Sequence, residues 1–108
     1  MVPFLALELS LKLIEQLCSV VATVQRADPD LARQIRRAAS STALNLAEGS
    51  ERNGRDRMHH HRIAAGSHRE VVAALRVAQA WGYVGPVQEL AELQDRLGAI
   101  LFRLTHRR

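Results

Sequence analysis

Arg37, Ser41 and Asn45 recur four residues apart, and Glu48 follows three residues later. On a helix, residues three and four apart share a face, so these side chains would form a polar ladder beside an apolar stripe. Ser67 and Glu70 form a second group of the same chemistry. Two carboxylates and a hydroxyl can do acid–base work. The sequence offers no nucleophile–base pair, no glycine-rich phosphate loop and no metal constellation to go with them, so no catalytic residue is assigned. The two groups read instead as a structural polar network. A buried carboxylate without a partner costs several kcal/mol, so Arg37 is expected to compensate Glu48 or Glu70, with Ser41, Asn45 and Ser67 completing the bonds.

Other reactive side chains are weaker signals. His59, His60 and His61 are consecutive, and adjacent helical residues point about 100° apart, so at most one or two of them can serve one ion. Asp56 and His60 have a helical ligand spacing, and His61 and His68 lie two turns apart; exposed histidines beside a basic loop are the simpler reading. No metal and no other cofactor is assigned. Cys18 falls among Leu17, Val20 and Val21 and reads as a buried, inert thiol. As the only cysteine it excludes an internal disulfide and suits a reducing compartment. Trp81, at a seam position, reads as core packing, and no aromatic and basic residues interleave into a platform for stacking bases.

The elements that must carry these residues are helices. A first helix is expected from about Pro3 to Arg26. Leu7, Leu11, Ile14, Cys18 and Val21 form one seam on it, and Leu9, Leu13, Leu17, Val20 and Val24 a second beside it. Together they make an apolar face wider than one partner helix covers. Asp28 is a good N-cap and Pro29 a good first helical residue. The second helix then runs to Glu48, stopped by Gly49, with Leu31, Ile35, Ala38 and Thr42 as its buried seam. A polar turn over 49–54 leads to a third helix from about Arg55 to Trp81, ended by Gly82, with Ile63, Ser67, Val71, Ala74, Ala78 and Trp81 as its seam. Gly66, inside that helix, suggests close approach of another backbone, because glycine there costs about 1 kcal/mol relative to alanine. Beyond Pro86 a fourth helix carries Leu90, Leu93, Leu97, Ile100 and Leu104. Four helices with short connections predict an all-α, antiparallel up-down-up-down four-helix bundle, in one domain over residues 1–108.

Bulk properties agree. The chain has 108 residues, with 47% hydrophobic but only 4% aromatic, so its core is built from Leu, Val, Ile and Ala. Glu8, Lys12 and Glu15 interrupt the apolar start, which argues against a membrane span, and no basic stretch precedes it as in a signal peptide, so a cytoplasmic protein is expected. The net charge is +4, and Lys12 is the only lysine among 15 basic residues. Residues 1–25 carry −1 and 86–102 carry −2, whereas 26–37 and 50–70 each carry +2 and 103–108 carry +3. This asymmetry predicts a basic side.

Gln34-Ile35-Arg36-Arg37-Ala38-Ala39-Ser40-Ser41, followed by Asn45-Leu46-Ala47-Glu48-Gly49, resembles the signature of bacterial four-helix-bundle proteins first found encoded in intervening sequences of 23S ribosomal RNA genes. Ala65-Gly66-Ser67 with Glu70 resembles that family's second signature, and Trp81-Gly82-Tyr83 its usual close to helix three. The resemblance covers roughly residues 5–105. It implies a homopentamer. It also implies kinship with the accessory variability protein of diversity-generating retroelements, which binds a reverse transcriptase and nucleic acid through basic surfaces. The present chain is only modestly basic and has histidines at 59–61 where that family carries aromatic or aliphatic residues.

The function expected on this basis is a non-enzymatic, oligomeric assembly module that binds RNA or DNA, or assists a reverse transcriptase. Arg33, Arg36, Arg52, Arg55, Arg57, Arg107 and Arg108 are the candidate phosphate contacts. The alternative is a protein-interaction scaffold that oligomerises without nucleic acid, supported by the same surplus apolar face and by acidic Glu89, Glu92 and Asp95.

Overall fold

The computed structural model describes residues 2–106, with side chains from residue 5 onward. Among them are four helices and no strand: α1 (Val2–Ala27), α2 (Pro29–Ser50), α3 (Gly54–Ala80) and α4 (Gln88–Thr105). The corners follow from local chemistry. At the first, the Asp28 backbone N–H still donates to Val24 (2.7 Å) while its carbonyl already accepts from Ala32 (3.1 Å), so a single residue separates α1 from α2. The Asp28 carboxylate caps α2 by accepting from the Leu31 N–H at 3.1 Å, and Pro29 opens the helix where its missing donor is harmless. At the end of α3, Gly82 takes φ +80°. Tyr83 N–H then donates to Ala78 and Gly82 N–H to Gln79, the Schellman closure that only a left-handed residue allows.

Each helix packs on its two ring neighbours, α1 on α2 and α4, and α3 on α2 and α4, which gives the up-down-up-down bundle. The closest pairing is α2 with α3. The molecule measures 42 × 24 × 20 Å, its long axis set by helices of 26 and 27 residues at about 1.5 Å per residue. Leu13, Ile35, Leu46, Leu97, Leu101, Val24 and Val71 fill the centre. Burying a side chain of this size contributes about 1.5–3 kcal/mol.

The seams expected on α2 and α4 are the buried ones, from Leu31 through Thr42 and from Leu90 through Leu104. On α1 the second seam enters the core whole, and the first only in part. Leu9, Leu13, Leu17, Val20 and Val24 are buried, and so is Val21 of the first seam, whereas Leu11 is exposed and Leu7 and Ile14 are half-buried. Cys18 lies on the partly covered seam and is exposed, not buried; its thiol faces the Ile14 carbonyl at 3.6 Å.

Three expectations for α2 and α3 need correction. Helix α2 does not stop at Gly49 but continues to Ser50, since Gly49 is buried against α3. A Cβ at Gly49 would stand 3.1 Å from the His61 ring and 3.3 Å from His60 Cβ, whereas one at Gly66 would meet only Arg69, at 3.9 Å; Gly49 is therefore the position that close packing requires. The α3 core face is His61, Ala64, Ala65, His68, Val71, Ala74, Leu75 and Ala78. Ile63 and Trp81 lie off that face, with Trp81 69% exposed.

The Gly82 corner predicts a contrast between two glycines of one loop. Gly82→Ala should destabilise the fold by about 1 kcal/mol, because an L-residue is strained at positive φ. Gly85→Ala meets no atom within 4 Å and no positive φ, so it should be neutral or slightly stabilising. Urea unfolding of the two variants measures the difference.

Candidate functional site

The polar ladder of α2 and the polar group of α3 meet. Ser41 Oγ and Ser67 Oγ are 2.8 Å apart, a hydrogen bond across the α2–α3 seam. The Asn45 amide donates to the Ser41 carbonyl at 2.9 Å and approaches Ser41 Oγ at 3.3 Å. Its own carbonyl lies 2.9 Å from His60 Nδ1. A carbonyl oxygen only accepts, so His60 carries its proton on Nδ1, and the chain His60–Asn45–Ser41–Ser67 spans the seam.

The charged members of the predicted network do not join it. Glu48 is paired with Arg52 (2.6 Å), which also holds Asp56 (3.2 Å); all three side chains are about half exposed, and such pairs contribute about 0–1 kcal/mol. Arg37 makes no ion pair among the described residues. It lines, with Gln34, Ser41, Ser67 and Glu70, an open polar cleft of about 540 Å³. Arg37 and Glu70 are both exposed, so neither charge needs a protein partner. The compensation expected of a buried carboxylate is not required, because water supplies it.

The histidines differ from the exposed run that the sequence suggests. Of the run only His59 is exposed; His60 is half-buried, and His61, like His68, is in the core. His68 Nε2 lies 2.9 Å from the Gln94 carbonyl on α4, so Nε2 carries the proton, while its buried Nδ1 has no hydrogen-bond partner. Gly98 on α4 faces that ring, and a Cβ there would stand at ordinary contact distance, 3.5 Å from Nε2. Burial pulls the His68 pKa below its ordinary value, opposed by the Gln94 bond, with nearby Arg69 lowering it and Asp95 raising it. Among the described residues no group of three or more His, Cys, Asp and Glu side chains is placed to hold a metal.

The predicted phosphate contacts are dispersed. Arg33 is paired with Asp30 at 2.9 Å and Arg36 donates to the Gln25 amide oxygen at 2.6 Å, both near the start of α2. Arg52, Arg55 and Arg57 surround the turn at its other end, about 28 Å along the helix from Arg33. Arg57 is half-buried and bonds the Gly49 carbonyl at 3.2 Å. Arg107 and Arg108 lie outside the described residues. Missing from that predicted set are Arg62, Arg69 and Arg76, which are exposed on α3 at seven-residue intervals from Arg55; the interval itself is countable in the sequence.

Two other surface features matter. Ile14, Leu17, Cys18, Val21, Ile35 and Ala39 line an apolar groove of about 480 Å³ between α1 and α2, bordered by Gln25, Arg36 and Ser40. At the opposite end of the molecule's long axis from the α2–α3 turn, exposed Trp81 stacks on Tyr83, with ring centroids 6.4 Å apart. The Tyr83 hydroxyl donates to the second oxygen of the capping Asp28 at 3.3 Å. Burial, and then that carboxylate, push its pKa above the usual tyrosine range.

The family model of the 23S rRNA-intervening sequence protein matches residues 5–105, nearly the whole described chain. The chain belongs to that family. No curated protein and no solved structure matches it. In this family member, Ser41, Asn45 and Ser67, with His60, join α2 to α3. Among the described residues no helix is long and apolar enough to cross a membrane.

Two outcomes follow. The Ser41–Ser67 bond predicts that Ser41→Ala and Ser67→Ala are each destabilising by about 1 kcal/mol but that the double variant loses less than their sum, as a double-mutant cycle in urea would show. A depressed His68 pKa means that the unfolded chain binds the proton first. Stability is therefore complete above about pH 6.5 and falls as the pH drops below it, by at most about 1.4 kcal/mol per unit. His68→Gln keeps an N–H for Gln94 and removes the titration, so its unfolding midpoint should fall less steeply between pH 7 and 5.

Proposed function

We propose that this family member is the subunit of a non-enzymatic homo-oligomer that binds RNA or DNA through the phosphate backbone. A pentamer is the state implied by the family signatures, and a reverse transcriptase the protein partner implied by the same kinship. The observation that carries the reading is the partly covered seam of α1: Leu11 and Cys18 are exposed and Ile14 half-buried beside the apolar α1–α2 groove. An apolar face left over by a 108-residue chain is stabilised by a second apolar surface, and another copy offers the same residues. Assembly also concentrates charge: five copies multiply +4 to +20, enough to attract a polyanion.

A scaffold without nucleic acid is the second reading. It is favoured by Glu89, Glu92 and Asp95, all exposed on α4, and by exposed Trp81, which suits a protein contact.

Light scattering should give a mass several times 12.0 kDa, five times for the pentamer. Leu11→Glu with Cys18→Glu changes only exposed positions and should leave the helical circular dichroism intact while reducing the mass to one subunit. The assembled protein should bind labelled RNA or DNA with an affinity that falls steeply as salt rises. A wild-type chain that stays monomeric at high concentration would refute the assembly. An assembly without salt-dependent nucleic-acid affinity would leave the scaffold reading in its place.

A further inference from the structure

Arg55, Arg62, Arg69 and Arg76 lie seven residues apart on α3, and all four are exposed. Seven residues are nearly two helical turns, so the four guanidinium groups form one stripe, spaced by about 10.5 Å and about 31 Å long. The stripe drifts only about 20° per step and stays on one side of the helix. Among the described residues no carboxylate pairs with any of them; the ion pairs are those of Arg33 and Arg52. Both acidic residues of α3 are engaged elsewhere or face away: Asp56 holds Arg52, and Glu70 lines the cleft toward α2. On α4, Asp95 is the carboxylate that shares the surroundings of His68 with Arg69, and it forms no ion pair. By contrast, Arg33 and Arg52 are already neutralised by neighbouring carboxylates.

The position of the stripe is informative as well. Arg76 lines the groove between α3 and α4, together with Val72, Gln79 and Gln94. In the ring order of the bundle this edge is opposite the α1–α2 edge that carries the apolar groove. A copy seated on the α1–α2 groove leaves the arginines free.

We infer that the α3 stripe is the surface on which a nucleic-acid duplex lies, its four arginines contacting the phosphate backbone. This rests on the nucleic-acid reading proposed above and assigns its interface. Charge complementarity selects a polyanion, and rigidity selects a duplex. A straight helix fixes its cations over about 31 Å, and a duplex fixes phosphates along about nine base-pair rises of the same length. Single-strand binding depends on aromatic side chains that stack on bases. No Phe, Tyr or Trp occurs between Arg55 and Arg76; exposed Trp81 lies beyond the end of the stripe, stacked on Tyr83, and Phe102 on α4 is stacked on His106. The contacts carry no base readout, so binding is independent of sequence and shared by RNA and DNA duplexes.

Fluorescence anisotropy of the full chain with labelled 20-base-pair RNA and DNA duplexes, and with a single-stranded homopolymer of the same length, tests this across a salt series. Arg62→Gln with Arg69→Gln should weaken duplex binding roughly eightfold at 0.1 M salt for each arginine removed, and lower the log–log salt slope by about 0.9 for each. Arg26→Gln with Arg103→Gln, which removes the same charge from exposed positions on α1 and α4, should change it little, and Arg62→Lys with Arg69→Lys should restore most of the affinity. Circular dichroism confirms folding of each variant. Equal losses in both glutamine variants, no loss in the stripe variant, or tighter binding of the single strand than of either duplex would overturn the assignment while leaving nucleic-acid binding in place. A wild-type chain that binds none of the three probes would instead overturn the underlying reading.

Discussion

The close antiparallel contact between α2 and α3 sets the geometry of the rest of the bundle. The buried faces of these helices are mostly small, with Ala38, Ala39, Thr42, Ala43 and Gly49 on α2 and Ala64, Ala65, Ala74 and Ala78 on α3, and Ser41 meets Ser67 across the contact. Two helices can approach this closely only where Cβ atoms leave room, and Gly49 leaves the position occupied by the His61 ring. The seam is also polar along one edge, where Ser41, Asn45, Ser67 and His60 bond to one another. Their bonds are satisfied within the seam, so the network gives register without leaving buried charge.

That arrangement has consequences for the other two helices. Where α2 meets α1, Ile35 and Ala39 do not fill the space beside Ile14, Leu17, Cys18 and Val21. The apolar groove is what remains, and it is the feature that favours assembly. On the far side, α4 packs on α3 around His68, whose Nε2 bonds the Gln94 carbonyl beside Gly98. The outer face of α3 is then left with its arginine stripe and solvent.

Much of the fold can be read from the sequence where a residue has one physical use. Asp28-Pro29 marks a helix start, Gly82 a helix end, and the leucines of α4 a single seam, and each lies where its chemistry requires. The meeting of Ser41 with Ser67 follows from helical spacing and a short turn. Elsewhere the residue types have more than one use. Polarity argues for exposed histidines, yet the glycines facing His61 and His68 are on α2 and α4, distant in sequence, and only the fold brings them together. Trp81 has the bulk of a core residue, but the helix phase turns it outward. The two seams of α1 have equal apolar character, and periodicity cannot tell which one its own bundle buries whole. Arg37 reads as the partner of a buried carboxylate because the depth of Glu48 and Glu70 cannot be told from spacing.

If the α2–α3 seam is the most stable part of the molecule, native-state hydrogen exchange should show it directly. The amides of Thr42, Ala43, Leu46, Ala64, Ala65 and His68 should exchange slowest, at the rate of global unfolding, with α4 opening first. Faster exchange in α2 and α3 than in α4 would contradict the account, since the seam could not then be what holds the other helices in place.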